Sequence, residues 1–417
     1  MTTENRKRVV VTGMGVLTPL GLDVEETWKG LVEGRSGITR ITQFDPSPFP
    51  VQINGEVQGF NPGRYMDERE SKRMSRFSQL AVAAAKMAVE AAGLVVDDSN
   101  AEDVGVVLGT AIGGGLVEGE KAHLILLNKG VRRIPPLFIP NMMPNAAAHH
   151  VGCAFGIKGY TSTVIAACAS GTQAIGEGAR AIRDGSSKVV LAGGTESTVC
   201  ELALAGICAM RAVSTRNDEP EKASRPFDAD RDGFVPSEGC GVLVLEDLDY
   251  ALARGARIEA EILGYGVTTD AYHVSAPDPE GRGSALAMRR AIDDAGLKPE
   301  DIQYINAHAT ATPIGDPAEV AAIKGVMGDH AYDIPVNATK SMIGHPMGAA
   351  GAVEAIVTIM TINTGMLHPT INWETPDPEC DLDCVPNVAR EAEVDIALSN
   401  SFGFGGQNAC LVLGRYV

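Results

Sequence analysis

The chain has 417 residues, 45% of them hydrophobic and 21% charged, which is ordinary for a globular protein and long enough for two core units. A formal net charge of −18 argues against nucleic acid as a partner. No run approaches the roughly 18 apolar residues of a membrane span, and no repeat array or low-complexity stretch is present.

The basic triplet Arg6 to Arg8 precedes VVVTGMGVLTPLGL, superficially like a signal peptide. Glycines and Pro19 interrupt that run, no small-residue cleavage site follows, and the acidic DVEE comes next, so the segment reads as a strand and turn. Strand-like runs then alternate with Ala-rich amphipathic helices, an α/β pattern. TSTVIAACASGTQAIGEGARAI opens as a β-branched run that predicts a buried strand, turns at Ala-Cys-Ala-Ser-Gly, and continues as a helix beginning near Cys168. A thiol among the unpaired N–H groups of a helix start is expected to have a lowered pKa, and the small flanking residues leave it reachable. RVVVTGMGVLTPLG has a counterpart in EAEILGYGVTTDAYH, and the segment around Cys168 has one around His345. This symmetry predicts a duplicated half, dividing near Arg254 to Ile258, with units 1–255 and 256–417.

In the second unit, Gln303 to Asn306 reads as a strand entering a loop with His308, Thr310 and Thr312. Asp316 and Glu319 read as an N-cap and first-turn acid of the next helix. IPVNAT repeats the pattern, leading to a glycine-rich loop with Lys340 and His345 and then the helix of GAAGAVEAIVTIM. Both imidazoles therefore lie just past the carboxyl end of a strand, where open α/β sheets bind ligands. One thiol and two imidazoles suit chemistry at a thioester carbonyl. Metal binding is the other reading, but no nearby pair matches the HExxH or CxxC patterns, so no metal and no cofactor are expected. The eight cysteines are scattered, Cys380 and Cys384 read as unpaired thiols, and Cys410 lies in the apolar run ACLVL, which reads as a buried strand. A reducing cytoplasm fits this usage.

VVVTGMGVLTPLG, STRNDEPEKASRPFDADRDGFV, TTDAYHVSAPDP, NAHATATPIGD, ATKSMIGHPMGAAGAVE, TPDPECDLDCVPN and NSFGFGGQN, in this order and spacing, resemble the β-ketoacyl-[acyl-carrier-protein] synthases of type II fatty-acid synthesis, most of all the synthase II branch. Departures are modest. Ala309 and Ala311 follow His308 where Gly-Thr-Gly or Gly-Thr-Ser is usual, AACASG replaces TACSSG, SEGC replaces a GEGAG-like stretch, and Gln407 follows GFGG in place of Thr.

The resemblance implies a thiolase-like fold, two duplicated α/β halves in a layered αβαβα arrangement, and a homodimer. It implies that Cys168 takes an acyl chain from acyl carrier protein, and that His308 and His345 donate to the enolate of decarboxylating malonyl carrier protein. The backbone N–H groups of Cys168 and Phe404 would form the oxyanion hole. Lys340 would pair with Glu354, and Phe404 would gate the acyl pocket. Ile112, in GTAIGGG, would limit chain length. Thr310, Thr312, Phe402 and Phe138, the last in PPLFIPNMMPNAAAHH, would contact substrate. Lys72, Arg73, Arg132, Arg133 and Arg211 would dock the carrier. Three rival functions remain: a thiolase, which would use a second catalytic cysteine near the C-terminus; a chain-length-factor partner, which would lack the nucleophile; and a polyketide ketosynthase, which carries the same three residues.

Overall fold

The structure, a computed structural model, describes residues 6–417. In chain order the principal elements are β1 (Val9–Leu17), α1 (Arg76–Ala91), β2 (Val104–Gly109), α2 (Gly115–Lys129), α3 (Ala146–Phe155), β3 (Thr161–Val164), α4 (Ser170–Arg183), β4 (Val189–Glu196), α5 (Glu201–Ala209) and β5 (Gly239–Asp247). There follow β6 (Ala260–Thr269), α6 (Arg282–Ala295), β7 (Tyr304–Asn306), α7 (Gly315–Met327), β8 (Val336–Asn337), α8 (Lys340–Ile343), α9 (Ala350–Thr364), β9 (Ile396–Gly403) and β10 (Gln407–Gly414).

The ten strands form one sheet ordered β8-β7-β9-β10-β6-β1-β5-β4-β2-β3. Numbered within each set of five, both sets run 3-2-4-5-1 from the sheet's edge inward, and they meet where β1 pairs antiparallel with β6 at Val10↔Glu261 and Val11↔Ala260. The first set is closed by parallel β2–β3 and β2–β4 and antiparallel β4–β5 and β5–β1 pairing; the second repeats this hand for hand.

Helices α4 and α9 lie between the two half-sheets. Their apolar residues (Ile175, Ile182, Val353, Ile356) share one core with Leu243 and Leu245 of β5 and with Leu411 and Leu413 of β10. A Cβ on Gly171 would stand 2.8 Å from the backbone N of Ala352, so a glycine lets these two helices approach this closely. α1 and α3 cover the outer face of one half-sheet, and α6 and α7 that of the other, each with its own apolar cluster. The layers are therefore α, β, α, β, α, as the resemblance implied.

Two sequence expectations change. TSTV is a strand, but β3 is an edge strand and its residues are exposed or half-buried. β-branching specifies an extended chain without specifying a neighbour in the same chain. Met347–Thr364 is by length and composition apolar enough to cross a membrane, against the reading that no such run exists. It is 83% buried inside the protein, as the central layer requires. All eight cysteines are free, and Cys410 is buried in β10 as expected.

Candidate active site

Beyond β3 the chain reverses through Ala166 to Ala169 before α4 begins at Ser170. Ala167 takes a left-handed φ of +48°, and Ala166 bridges Cys168, so the turn is tight and strained. Cys168 sits one residue ahead of the helix cap and is 4% exposed.

The expected lowering of its pKa is overturned. Burial pushes the thiol up to about 11; the Lys340 charge and the N–H groups of Phe404 and Cys168 oppose this, while Glu196 adds to it. The helix start is present, but burial in the apolar cluster that also holds Phe234, Met347, Val199 and Leu204 decides the balance. The expected reach is also narrower, since Cys168 is almost wholly buried and faces a cleft lined by His308, His345, Phe402 and Phe404.

Both histidines reach that cleft. His345 Nε2 stands 3.0 Å from Cys168 Sγ, and the His345 and His308 rings meet edge to face with centroids 5.4 Å apart. Gly344, at φ +70°, turns the chain so that the His345 N–H donates to Val235 O at 2.7 Å. Both imidazoles titrate well below 6.5, because burial and then the Lys340 charge disfavour the cation, with His345 adding to the effect on His308. Each is therefore neutral at pH 7 and carries one N–H. The sulfur and one nitrogen of each ring lie within 4.8 Å of one another, a spacing a soft metal could bridge. Among the described residues, however, both buried Nδ1 atoms have no hydrogen-bond partner and so lack the acceptors that orient metal-bound imidazoles.

Lys340 is 1% exposed, pairs with Glu354 in α9, and donates to His308 O at 2.6 Å. The lysine that precedes one histidine thus fixes the backbone of the other. The β9–β10 turn lies against Cys168. A Cβ on Gly403 would stand 2.9 Å from Cys168 N, so only glycine lets this backbone pass. Phe402 meets the His308 ring edge-on at 6.1 Å, and Phe404 is 36% exposed at the mouth.

The cleft thus gathers Cys168, His308, His345, Thr310, Thr312, Phe402 and Phe404, with Lys340 and Glu354 beneath. Ile112 and Phe138 are half-buried and do not line it. Lys72, Arg73, Arg132, Arg133 and Arg211 are all exposed, and Lys72 is already paired with Glu68 at 2.7 Å.

Two acids were undervalued by the sequence reading. Glu319 does more than cap a helix, since it accepts from His308 N at 2.9 Å and Ala309 N at 2.7 Å and so holds the histidine loop. Its only sequence signal was its place in GDPAE, one helical turn past the loop. Glu196, at the end of β4, was not singled out at all; it accepts backbone N–H groups from two loops beside the thiol.

A five-layered repeat with one thiol and two imidazoles at the strand ends defines a condensing enzyme of the thiolase-like class. Residues 6–251 match the family described as beta-ketoacyl synthase, N-terminal domain, and residues 259–374 match its C-terminal domain, so the chain belongs to the beta-ketoacyl synthase family. It is 49% identical over 416 residues, 100% of both chains, to the 3-oxoacyl-[acyl-carrier-protein] synthase 2 of Synechocystis sp.. Among solved structures, the ishigamide ketosynthase/chain length factor is 41% identical with a TM-score of 0.92, covering 99% of this chain and 100% of that one. AntDE:AntF, a type II PKS acyl-carrier protein in complex with its ketosynthase, is 34% identical with a TM-score of 0.91, at the same coverage.

Proposed function

We propose that this protein is the chain-elongating condensing enzyme of fatty-acid synthesis, a 3-oxoacyl-[acyl-carrier-protein] synthase of the synthase II kind. The observation that carries the reading is the contact of Cys168 Sγ with a neutral imidazole at 3.0 Å, with a second neutral imidazole beside it and the N–H groups of Cys168 and Phe404 turned towards the sulfur.

The thiol is stored neutral. As Sγ attacks the carbonyl carbon of an acyl carrier thioester, its proton passes to solvent while His345 keeps its single N–H on Nε2, and the oxyanion forms against the two backbone N–H groups. Collapse expels the carrier thiolate, which takes the proton, and leaves an acyl thioester on Cys168. Malonyl carrier protein then binds in the cleft. Breaking its carboxylate C–C bond releases carbon dioxide and leaves an enolate whose oxygen accepts from the His308 and His345 N–H groups. The enolate carbon attacks the acyl carbonyl, the C–S bond to Cys168 breaks, and the thiolate takes one proton from solvent, the proton that balances loss of the carboxylate as carbon dioxide. The product is a β-ketoacyl carrier thioester two carbons longer.

In this reading Thr310 and Thr312 line the path of the carrier's arm, Phe402 and Phe404 frame its mouth, and Arg73, Arg132, Arg133 and Arg211, with Lys72, offer basic groups to an acidic carrier. Ile112 and Phe138 are assigned to the far end of the acyl pocket, completed by a second copy of the chain. The halves divide at 255/256, in the segment joining β5 to β6.

Intact mass after incubation with medium- or long-chain acyl carrier protein tests the reading. The protein should gain the mass of one acyl group, and Cys168→Ala should gain nothing. No gain at any chain length would point to a non-condensing partner subunit.

A further inference from the structure

The loop after β2 carries Ile112, and the turn after His345 carries Met347 and Gly348; a single carboxylate joins them. Glu196 is fully buried and accepts from Ala111 N at 2.6 Å, Gly113 N at 3.0 Å, Ile112 N at 3.3 Å, Gly348 N at 3.3 Å and Thr110 Oγ1 at 3.1 Å. Thr110 Oγ1 in turn accepts from Gly113 N at 3.0 Å. The two segments touch, since a Cβ on Gly348 would lie 2.2 Å from Ala111 N.

Both also border the thiol. Met347 shares one apolar cluster with Cys168, and Ala111 packs against it. Nothing in the loop itself dictates its path, because Ala111 to Gly114 contribute one apolar side chain larger than alanine and otherwise only backbone. Four N–H groups converging on one carboxylate therefore set where this wall stands relative to the sulfur.

We infer that Glu196 is a positioning residue for chain-length selection: it clamps the loop bearing Ile112 against the turn that follows His345, and so fixes the wall of the acyl pocket beside Cys168. The inference rests on the condensing-enzyme reading above. Glu196 touches neither reacting carbon. Its removal changes which acyl chains are accepted before it changes whether any are accepted.

Glu196→Gln places an amide NH₂ among four N–H donors, so at least one donor must turn away and the loop must move. The measurement is kcat/KM for transfer of a series of saturated acyl groups, from six to sixteen carbons, from carrier protein to Cys168, for wild type and variant. In Glu196→Gln the chain length at which transfer falls off should move by two carbons or more. The relative kcat/KM of chains on either side of the cut-off should then change about tenfold or more, the scale of discrimination one methylene commands in an apolar pocket.

Thr110→Val, which removes one donor to the carboxylate and nearly preserves volume, should move the profile the same way by less. A uniform loss at all chain lengths in both variants would make Glu196 a merely structural acid and overturn the inference. Should Glu196→Gln fail to fold, Thr110→Val decides alone, and an unchanged profile there overturns it. Failure of the wild type to accept any acyl group would instead defeat the function proposed above.

Discussion

His308 and His345 are held neutral by their surroundings, and this has a sign in both stability and rate. In the unfolded chain each imidazole takes up a proton near pH 6.5. In the fold each does so only well below that value, and His368 only at about 4, all three chiefly because of burial. Below pH 6.5 the unfolded state therefore binds more protons than the folded one, so the stability these groups contribute is complete above pH 6.5 and is lost as pH falls. The same burial keeps the N–H donors intact across the neutral range. Malonyl decarboxylation should be flat from pH 6 to 8 while the Tm drops between pH 6.5 and 5; a rate midpoint near 6.5 would show imidazolium participation and refute the neutral pair. That Cys168, His308 and His345 share a cleft was legible because each stands in a loop of small residues, where a polar or thiol side chain has few packing uses. The thiol's proton affinity was misread because burial depends on Phe234, Met347 and Leu204, all distant in sequence. Glu196 escaped notice and Glu319 was undervalued for a related reason: their partners include backbone N–H groups, which leave no mark on residue identity.

Helices α8 and α9 are tied to the His308 loop by the Lys340–Glu354 pair, and the consequences of breaking it belong to these elements rather than to either residue. Both side chains are almost wholly buried, so Lys340→Ala leaves an uncompensated acid in the central layer. That should cost about 3–5 kcal/mol in denaturant unfolding. A double variant, Lys340→Met with Glu354→Leu, removes both charges at similar volume and should recover most of that stability. It does not restore the donor that Lys340 supplies to His308 O, so decarboxylation should remain down about a hundredfold, the scale of an ångström of misplacement. Recovery of activity together with stability would show that the lysine is only structural. These elements were largely legible as a strand, loop and helix in series, and α9 lies where GAAGAVEAIVTIM places it. IPVNAT proved shorter, two ladder residues in β8, because an edge strand needs only the pairs its one neighbour offers. The apolar composition by which Met347–Thr364 passes for a membrane span suits burial between the two half-sheets, which no single segment specifies.

Among the described residues the sheet ends at β3 with an unpaired edge, and that edge suits pairing with a second copy of the chain. On its inner side Val106 N donates to Tyr160 O and Thr110 N to Val164 O, so the backbone groups of the alternate residues Thr161 and Thr163 point away from the sheet. Long or apolar edges invite pairing with another chain unless charge, proline or a bulge protects them. TSTV carries no such protection; beside it Tyr160 and Ile165 are 43% and 60% exposed, and the segment 131–143 exposes Val131, Leu137, Ile139 and Met143. Phe138 and Ile112 do not line the cleft of this chain, and a second copy would give them a role. The sequence pattern identified β3 as a strand but placed it in the interior, and pairing across a twofold axis would make that placement right for the assembly and wrong for the single chain. Thr163→Pro removes one outward N–H while leaving the hydrogen bonds to β2, and proline is tolerated on an edge strand. Light scattering should find the wild type at twice the chain mass and Thr163→Pro mostly at the chain mass, with long-chain acyl transfer lost in step with the dimer. A variant that stays dimeric and active would mean that copies associate through some other face, and one that is monomeric yet fully active with long chains would mean that each chain completes its own pocket.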